Sequence, residues 1–351
     1  MKRFSILIAA LCLCLTGCGK QTTEATAQIF AMDTVMEVAA YGPKAEKAVQ
    51  ETEGQIKALE NQLSRTKADS DVSRVNHNGT TPTTGLTYGT RALLPAALEY
   101  RDATNGAFDI TIAPVMDAWG FTGDSFRVPE QSELDTLLKK VNSDAIQMLG
   151  SPSDSVTLGE GQAIDLGGIA KGYTSDLVEQ TFRANGIESG KISLGGNVFV
   201  LGGKPDGSDW RVGIKDPRNE SGLAAILSLR DAYAITSGGY ERYFEENGKT
   251  YHHIIDPSTG YPADSGLLSV TVVAADNGPD WAGAGNGAMC DAFSTALFVM
   301  GEEQALDFWR NGGYDFDLVL VTEDGRVVIT AGLADRLEEV KDSGYTYETV
   351  S

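Results

Sequence analysis

Two short stretches hold residue types that could work together. In AIDLGGIAKGY (163–173) an acid, Asp165, and a lysine, Lys171, stand six positions apart with glycines between them. In CDAFSTAL (290–297) Asp291 and Thr295 are four apart. On a helix that spacing puts a carboxylate and a hydroxyl on one face, about 6 Å apart. Such a pair can share one hard cation, because Mg²⁺ accepts a few protein oxygens and completes its shell with ligand phosphates and water. The simpler reading is a capping Asp and a Thr bonded back to its own helix. In the first stretch, Gly167 and Gly168 lie where a short strand, Ile164 to Leu166, meets a helix from Ile169 onward. Glycines there let backbone approach a ligand, and a helix N-terminus favours anions. Lys171 would sit in the first turn, where a cation opposes the helix dipole. That placement points to a neutralising partner such as a phosphate; the plain alternative is a surface lysine at a helix entry.

YHHIIDPSTGYP (251–262) carries two of the three histidines. His252 and His253 point to opposite sides of an extended segment, so at most one faces a given site. A zinc pair is improbable, since His77 lies in a remote polar loop. ITSGGY (235–240) and SLGGN (193–197) are Gly-rich strand ends that suit a cleft lined by backbone.

These residues need elements to hold them. The pattern predicts a strand over 33–42 and a helix over 44–64, where Ile56, Leu59 and Leu63 fall at helical spacing. A polar loop follows at 64–79, then a helix over 89–104 with Pro95 near its start. Residues 106–121 read as β-rich, ending in Trp119-Gly120-Phe121, and a third helix enters at Pro129. After the helix over 169–184 comes a run of strands, two helices joined at Gly301, and a hairpin turned at Asp324-Gly325. Strands and helices come in blocks, which argues for an α+β fold of mixed sheets with packed helices.

The N-terminus has its own signal. A basic start, Lys2-Arg3, precedes a short apolar run closed by Leu15-Thr16-Gly17-Cys18. A run this short is a signal-peptide core and not a spanning helix. Small residues before Cys18 resemble a lipobox. The expected organisation is a signal peptide over 1–17, lipidation at Cys18, a flexible tether over 18–28 and one domain over 29–345. An ordinary secretory signal is the alternative. Cys12 and Cys14 would leave with the signal, so Cys290 is the one remaining free thiol and no internal disulfide is expected. The formal charge of −21 opposes binding to nucleic acid or anionic lipid. Membrane attachment would therefore rest on acyl chains.

Taken together and in order, MDTVMEV, DSDVSRVN, NGAFDITIAPVMDAWGF, AIDLGGIAKGY, SLGGNVFVLG, WRVGIKDP, AITSGGYERYF, HHIIDPSTGYPA and CDAFSTALFVMG resemble the ApbE family of flavin transferases. The resemblance spans nearly the whole mature chain. It implies an ApbE-like fold with the FAD cleft between two subdomains. It implies FAD contacts at Met32, Trp119, Gly120, Phe121, Asp165, Lys171 and His253. It implies Mg²⁺ held by the Gly168 carbonyl and by the Asp291 and Thr295 side chains. One position departs from the family pattern: Thr66 stands where relatives often carry tyrosine. Threonine cannot stack on a flavin or adenine ring, which bears on FAD affinity and on the balance between transfer and hydrolysis.

The activity implied is Mg²⁺-dependent transfer of FMN from FAD to a threonine of an acceptor protein, with release of AMP. His253 is the candidate base, with Asp291 as the alternative. The acceptors implied are extracytoplasmic redox proteins, and the enzyme would be lipid-anchored on the extracytoplasmic side of the cell membrane. Two other readings are a Mg²⁺-dependent FAD pyrophosphatase and a non-catalytic flavin-binding lipoprotein.

Overall fold

The computed structural model describes residues 23–123, 125–150, 153–219, 221–278 and 283–351. The signal peptide and Cys18 lie outside these residues. The chain opens with the hairpin β1 (Glu24–Ala31) and β2 (Thr34–Tyr41), then α1 (Ala45–Leu63), α2 (Asp71–Asn78), β3 (Thr80–Pro82) and α3 (Tyr88–Ala103). Next come α4 (Ala113–Trp119), α5 (Gln131–Leu137), β4 (Gln147–Gly150), β5 (Ser153–Thr157) and α6 (Gly167–Ala184). Eight strands follow: β6 (Ser189–Leu194), β7 (Asn197–Leu201), β8 (Trp210–Lys215), β9 (Leu223–Leu229), β10 (Ala232–Gly238), β11 (Tyr243–Glu246), β12 (Lys249–His252) and β13 (Leu267–Ala275). The chain closes with α7 (Asn286–Met300), α8 (Glu302–Asn311), β14 (Asp317–Thr322), β15 (Arg326–Thr330), β16 (Leu337–Glu339) and β17 (Thr346–Val350).

One nine-stranded sheet organises the molecule, in the order β1-β2-β6-β7-β10-β13-β14-β15-β17. Its pairs are antiparallel except β15 with β17, which is parallel. This is the mixed α+β architecture the blocks of strands and helices imply. On one face, α1, α3, α6 and α7 bury the large core that includes Leu93, Tyr173, Phe182 and Phe293. On the other face, β8 and β9 cover Val200, Val273 and Val321. A small separate cluster, Val115, Trp119, Phe121, Leu134 and Ile255, lies beside α4 and α5. Among the described residues, no helix is long and apolar enough to cross a membrane.

The registers put several turns at one end of the sheet. Ala31 pairs with Thr34, Met36 with Leu194, Leu194 with Asn197, and Asn197 with Ile235. The β1–β2 turn, the Gly195-Gly196 turn and the residues after β10 therefore share that end.

Six local expectations change. Residues 24–28, read as tether, belong to β1, because Ile29 and Ala31 are buried on α1's side and the strand pairs with β2 along its whole length. The domain also runs past 345, since β17 completes the sheet. The polar stretch 64–79 contains α2, started by Ser70, whose Oγ accepts from Ser73 N–H at 2.9 Å. Residues 106–121 are helical rather than β-rich. Asp109 takes the Thr111 N–H and hydroxyl, starting a 3₁₀ turn, and Pro114 sits in the first turn of α4, where proline is favoured. Ile164 to Leu166 forms no strand; Asp165 N–H donates to Ile110 carbonyl at 2.8 Å. Pro95 lies well inside α3.

The closest helix contact is the crossing of α6 and α7. A Cβ on Gly172 would stand 2.1 Å from the Gly287 carbonyl oxygen, and one on Gly287 would stand 2.4 Å from the Gly172 oxygen. Neither backbone can retreat without opening the core, so Gly172→Ala should cost about 3 kcal/mol or prevent folding. Gly54, exposed in mid-α1 with nothing near its Cβ position, is the control; Gly54→Ala should gain roughly 0.5–1 kcal/mol. Urea unfolding of both variants checks this, and equal stabilities would mean the crossing is not tight.

Candidate active site

The α6–α7 crossing brings the two opening stretches together. Asp291, on α7, is almost fully buried, and its Oδ2 accepts from Gly172 N–H at 2.8 Å. In a regular helix that N–H would serve the Gly168 carbonyl. Gly168 lies against Thr295: a Cβ there would be 3.8 Å from Thr295 Oγ1. Thr295 Oγ1 is 3.1 Å from Ser237 Oγ, which is 2.8 Å from Ser294 Oγ. Ser294 in turn donates to the Asp291 carbonyl. The expected metal residues Gly168, Asp291 and Thr295 thus converge on one spot. A carbonyl, a carboxylate and a hydroxyl are hard oxygen donors, which suits Mg²⁺. Among the described residues, no cluster of three His, Cys, Asp or Glu side chains forms a metal cage. A cation here would complete its shell from the substrate.

Asp165 shapes the entry to α6. Its Oδ1 accepts from Gly167 N–H at 2.8 Å, and its Oδ2 is 3.7 Å from Arg65 Nη1. Arg65 forks onto Asp117 at 2.9 and 2.7 Å and donates to Thr122. It thereby ties the end of α1 to α4 and the α6 entry. The sequence reading missed Arg65, although it lies one residue before Thr66. Thr66 is exposed, in a turn where its hydroxyl is 3.0 Å from Ser64 Oγ.

Lys171 carries its charge into the same space and is felt by both Glu241 and His253. Glu241 was also missed. It follows the Gly-rich end of β10, and a Cβ on Gly196 would stand 2.7 Å from its Oε1. Desolvation by the surrounding protein pushes the Glu241 pKa up to about 7; Lys171 opposes the rise and Asp291 adds to it. The signal available was a charged residue just past the glycines of ITSGGYE.

His252 and His253 do face different surroundings. His252 Nε2 donates to the Ala263 carbonyl at 3.1 Å, its ring meets Phe298 edge-on, and its Nδ1 is buried without a partner. His253 Nδ1 donates to the Arg242 carbonyl at 3.1 Å, which leaves Nε2 as the lone-pair nitrogen. Its ring stands 6.5 Å from Phe121. Burial first, then the Lys171 charge, lower its pKa to about 4.

Met32 occupies the turn of the first hairpin with φ 49°, followed by Asp33 at φ 58°. Left-handed backbone is uncommon for methionine. Its N–H donates to Glu60 and its sulfur accepts from the Thr174 hydroxyl at 3.8 Å, so it bridges α1 and α6. Trp119 and Phe121 turn their rings into the protein. Their side chains are 0% and 1% exposed, and Trp119 Nε1 donates to the Gly260 carbonyl at 2.7 Å. Tyr251, Tyr261 and Phe244 surround the indole, so the rings back a wall and Gly120 is the partly exposed residue of the three. Cavities of about 340 and 210 Å³ lie elsewhere, beside Tyr100 and Tyr314 and beside Leu59 and Tyr173.

The site is thus a set of oxygen donors with a lysine near a helix entry. A family model of the ApbE family matches residues 32–318. An FAD:protein FMN transferase of Treponema pallidum is 30% identical, over 99% of this chain and 98% of its own. One from Klebsiella pneumoniae is 33% identical, over 83% and 86%. The crystal structure of the ApbE protein of Thermotoga maritima superposes with a TM-score of 0.77 at 31% identity, covering 91% of this chain and 97% of that one. The Pseudomonas stutzeri flavinyl transferase ApbE, in its apo form, gives 0.72 at 30% identity, covering 87% and 92%. The chain belongs to the ApbE family, and it is a transferase.

The His253 environment has a measurable consequence. Its folded pKa, about 4, lies below the ordinary 6.5. Between those values the unfolded chain binds a proton the folded chain does not, so stability falls as pH falls through that window. From pH 7.5 to 4.5 the wild type should lose roughly 2 kcal/mol more than His253→Gln, by urea unfolding of both. Parallel losses would show that His253 titrates as it would in water.

Proposed function

We propose that this enzyme binds FAD with Mg²⁺ and transfers FMN to a threonine hydroxyl of an acceptor protein, releasing AMP. The observation that carries this is the meeting of Gly168, Lys171, Asp291 and Thr295 at one helix crossing. Lys171 would pair with the pyrophosphate, whose negative charge offsets the cost of a lysine at a helix N-terminus. Asp165, braced by Arg65, would orient the ligand, and Met32 would hold its far end. The FAD cleft would run between the small cluster around Trp119 and the crossing of α6 and α7.

In the transfer, the threonine oxygen bonds to the FMN phosphorus and the bond from that phosphorus to the AMP oxygen breaks, AMP taking the electron pair. The threonine proton goes to His253 Nε2 as candidate base, with Asp291 as the alternative acceptor. Gly168, Asp291 and Thr295 would hold Mg²⁺, which supplies neutralisation of charge on the bridging and leaving oxygens. Hydrolysis of FAD is the second reading, because exposed Thr66 offers no ring to clamp the substrate. The anchor would be the acylated Cys18 on the extracytoplasmic side, with extracytoplasmic redox proteins as acceptors.

Asp291→Ala should abolish turnover of FAD, and Thr295→Ala should lower it less, since a neutral hydroxyl contributes less than a carboxylate to a hard cation. Incubation with FAD, Mg²⁺ and an acceptor domain sorts the outcomes. Protein-bound flavin with AMP supports transfer, free FMN with AMP means hydrolysis, and full activity in excess EDTA excludes the metal-dependent scheme. For the anchor, Cys18→Ser should move the protein from the membrane to the soluble fraction. Unchanged fractionation and mass would contradict lipidation.

A further inference from the structure

The first hairpin ends in an apolar pair that the core does not use. Phe30 and Val35 lie opposite each other in register and are 75% and 56% exposed. The rest of the outward face of β1 is polar: Glu24, Thr26 and Gln28. β1 is also the outermost strand of the main sheet, and its second edge pairs with no described strand. It runs eight residues against β2 without a bulge and contains neither proline nor lysine. Open edges are normally blunted by such devices, because they recruit other strands. An open edge beside an apolar pair suits a partner that arrives as an extended segment.

This surface leads directly into the candidate site. Phe30 and Val35 flank the turn at Met32 and Asp33. The next residue, Thr34, touches the Gly195 backbone so closely that a Cβ there would be 2.2 Å from its hydroxyl. Gly196 in turn abuts Glu241, whose charge is coupled to Lys171 and Asp291. A chain lying along β1 would therefore pass its end into the site at Met32.

We infer that the open edge of β1, with Phe30 and Val35, is the docking surface for the acceptor protein. The inference rests on the transferase reading, which requires a macromolecular acceptor to place one hydroxyl beside the bound FAD. Two observations favour the acceptor over a second copy of this chain. The surface is continuous with the site, which an acceptor must reach and a second copy need not. Its flanks carry Glu24, Asp33 and Glu37 on a chain of net charge −21, which repels a like copy and favours a neutral or basic contact face.

The test uses the full chain with FAD, Mg²⁺ and an acceptor domain that presents a threonine. Phe30→Ser with Val35→Thr should raise KM for the acceptor about tenfold or more, while kcat, FAD affinity and melting temperature stay at wild-type values. A photocrosslinking residue in place of Phe30 should capture the acceptor domain. Unchanged acceptor KM in the double variant, with the wild type active, would overturn the docking surface alone. A variant that loses a concentration-dependent dimer yet keeps its acceptor KM would assign the face to a second copy and overturn the proposal. No labelling by the wild type would overturn the transferase reading, and the docking surface with it.

Discussion

The structure depends on how closely two helices approach. α6 and α7 touch backbone to backbone at Gly172 and Gly287, and no side chain larger than hydrogen fits at either position. That contact sets the distance from the Asp291 carboxylate to the first turns of α6, and it places Thr295 beside Gly168. The candidate site's oxygens come from two segments about 120 residues apart in sequence, and only the crossing makes them neighbours. Glycine normally weakens a helix. Here the packing of Tyr173, Phe182 and Phe293 around the crossing offsets that weakness.

A buried polar network holds the crossing in register. Gly285 begins α7 without a capping side chain, and Asp176 of α6 supplies the cap from the neighbouring helix. It accepts the N–H groups of Gly285, Gly287 and Ala288 at 2.9, 2.7 and 3.1 Å. Burial pushes its pKa up to about 7, while the three backbone donors pull it down. The positive end of α7 also favours the ionised form, so we assign the carboxylate at neutral pH. Asn277, Glu179 and Tyr233 complete the network: Tyr233 donates to Glu179 at 2.6 Å, and Asn277 donates to Glu179 and Asp176. Arg183 closes its outer side on Glu179 at 2.8 Å. Asp176, Glu179 and Arg183 follow Lys171 along α6, so one helix is braced through its later turns and carries charge into the site from near its start.

Much of this was legible in the sequence. The long periodic helices, the strand run and the DG hairpin are local signals and fall where periodicity puts them. The i,i+4 pair on α7 and the glycine-lysine entry to α6 were visible because each follows from helix geometry alone. What failed was local chemistry that competes with propensity. Residues 106–121 look like a strand by their β-branched residues, but Asp109 bonds its own backbone and Pro114 starts a helix. The short α2 hides in a polar run because its stability comes from Ser70 and the buried Val72 and Val75. Arg65 and Glu241 were missed because their roles exist only through long-range neighbours. For Trp119 and Phe121 the packing that buries their rings against Tyr251, Tyr261 and Phe244 is likewise long-range and not written in the local sequence.

The account stands on the claim that one crossing builds one site. The most direct measurement is a crystal structure with FAD and Mn²⁺ in place of Mg²⁺, read by anomalous diffraction. The account predicts a single strong peak among the Gly168 carbonyl, Asp291 and Thr295, about 2.0–2.2 Å from their oxygens, with the pyrophosphate against Lys171. A metal bound away from α7, or a pyrophosphate out of reach of Lys171, would contradict it.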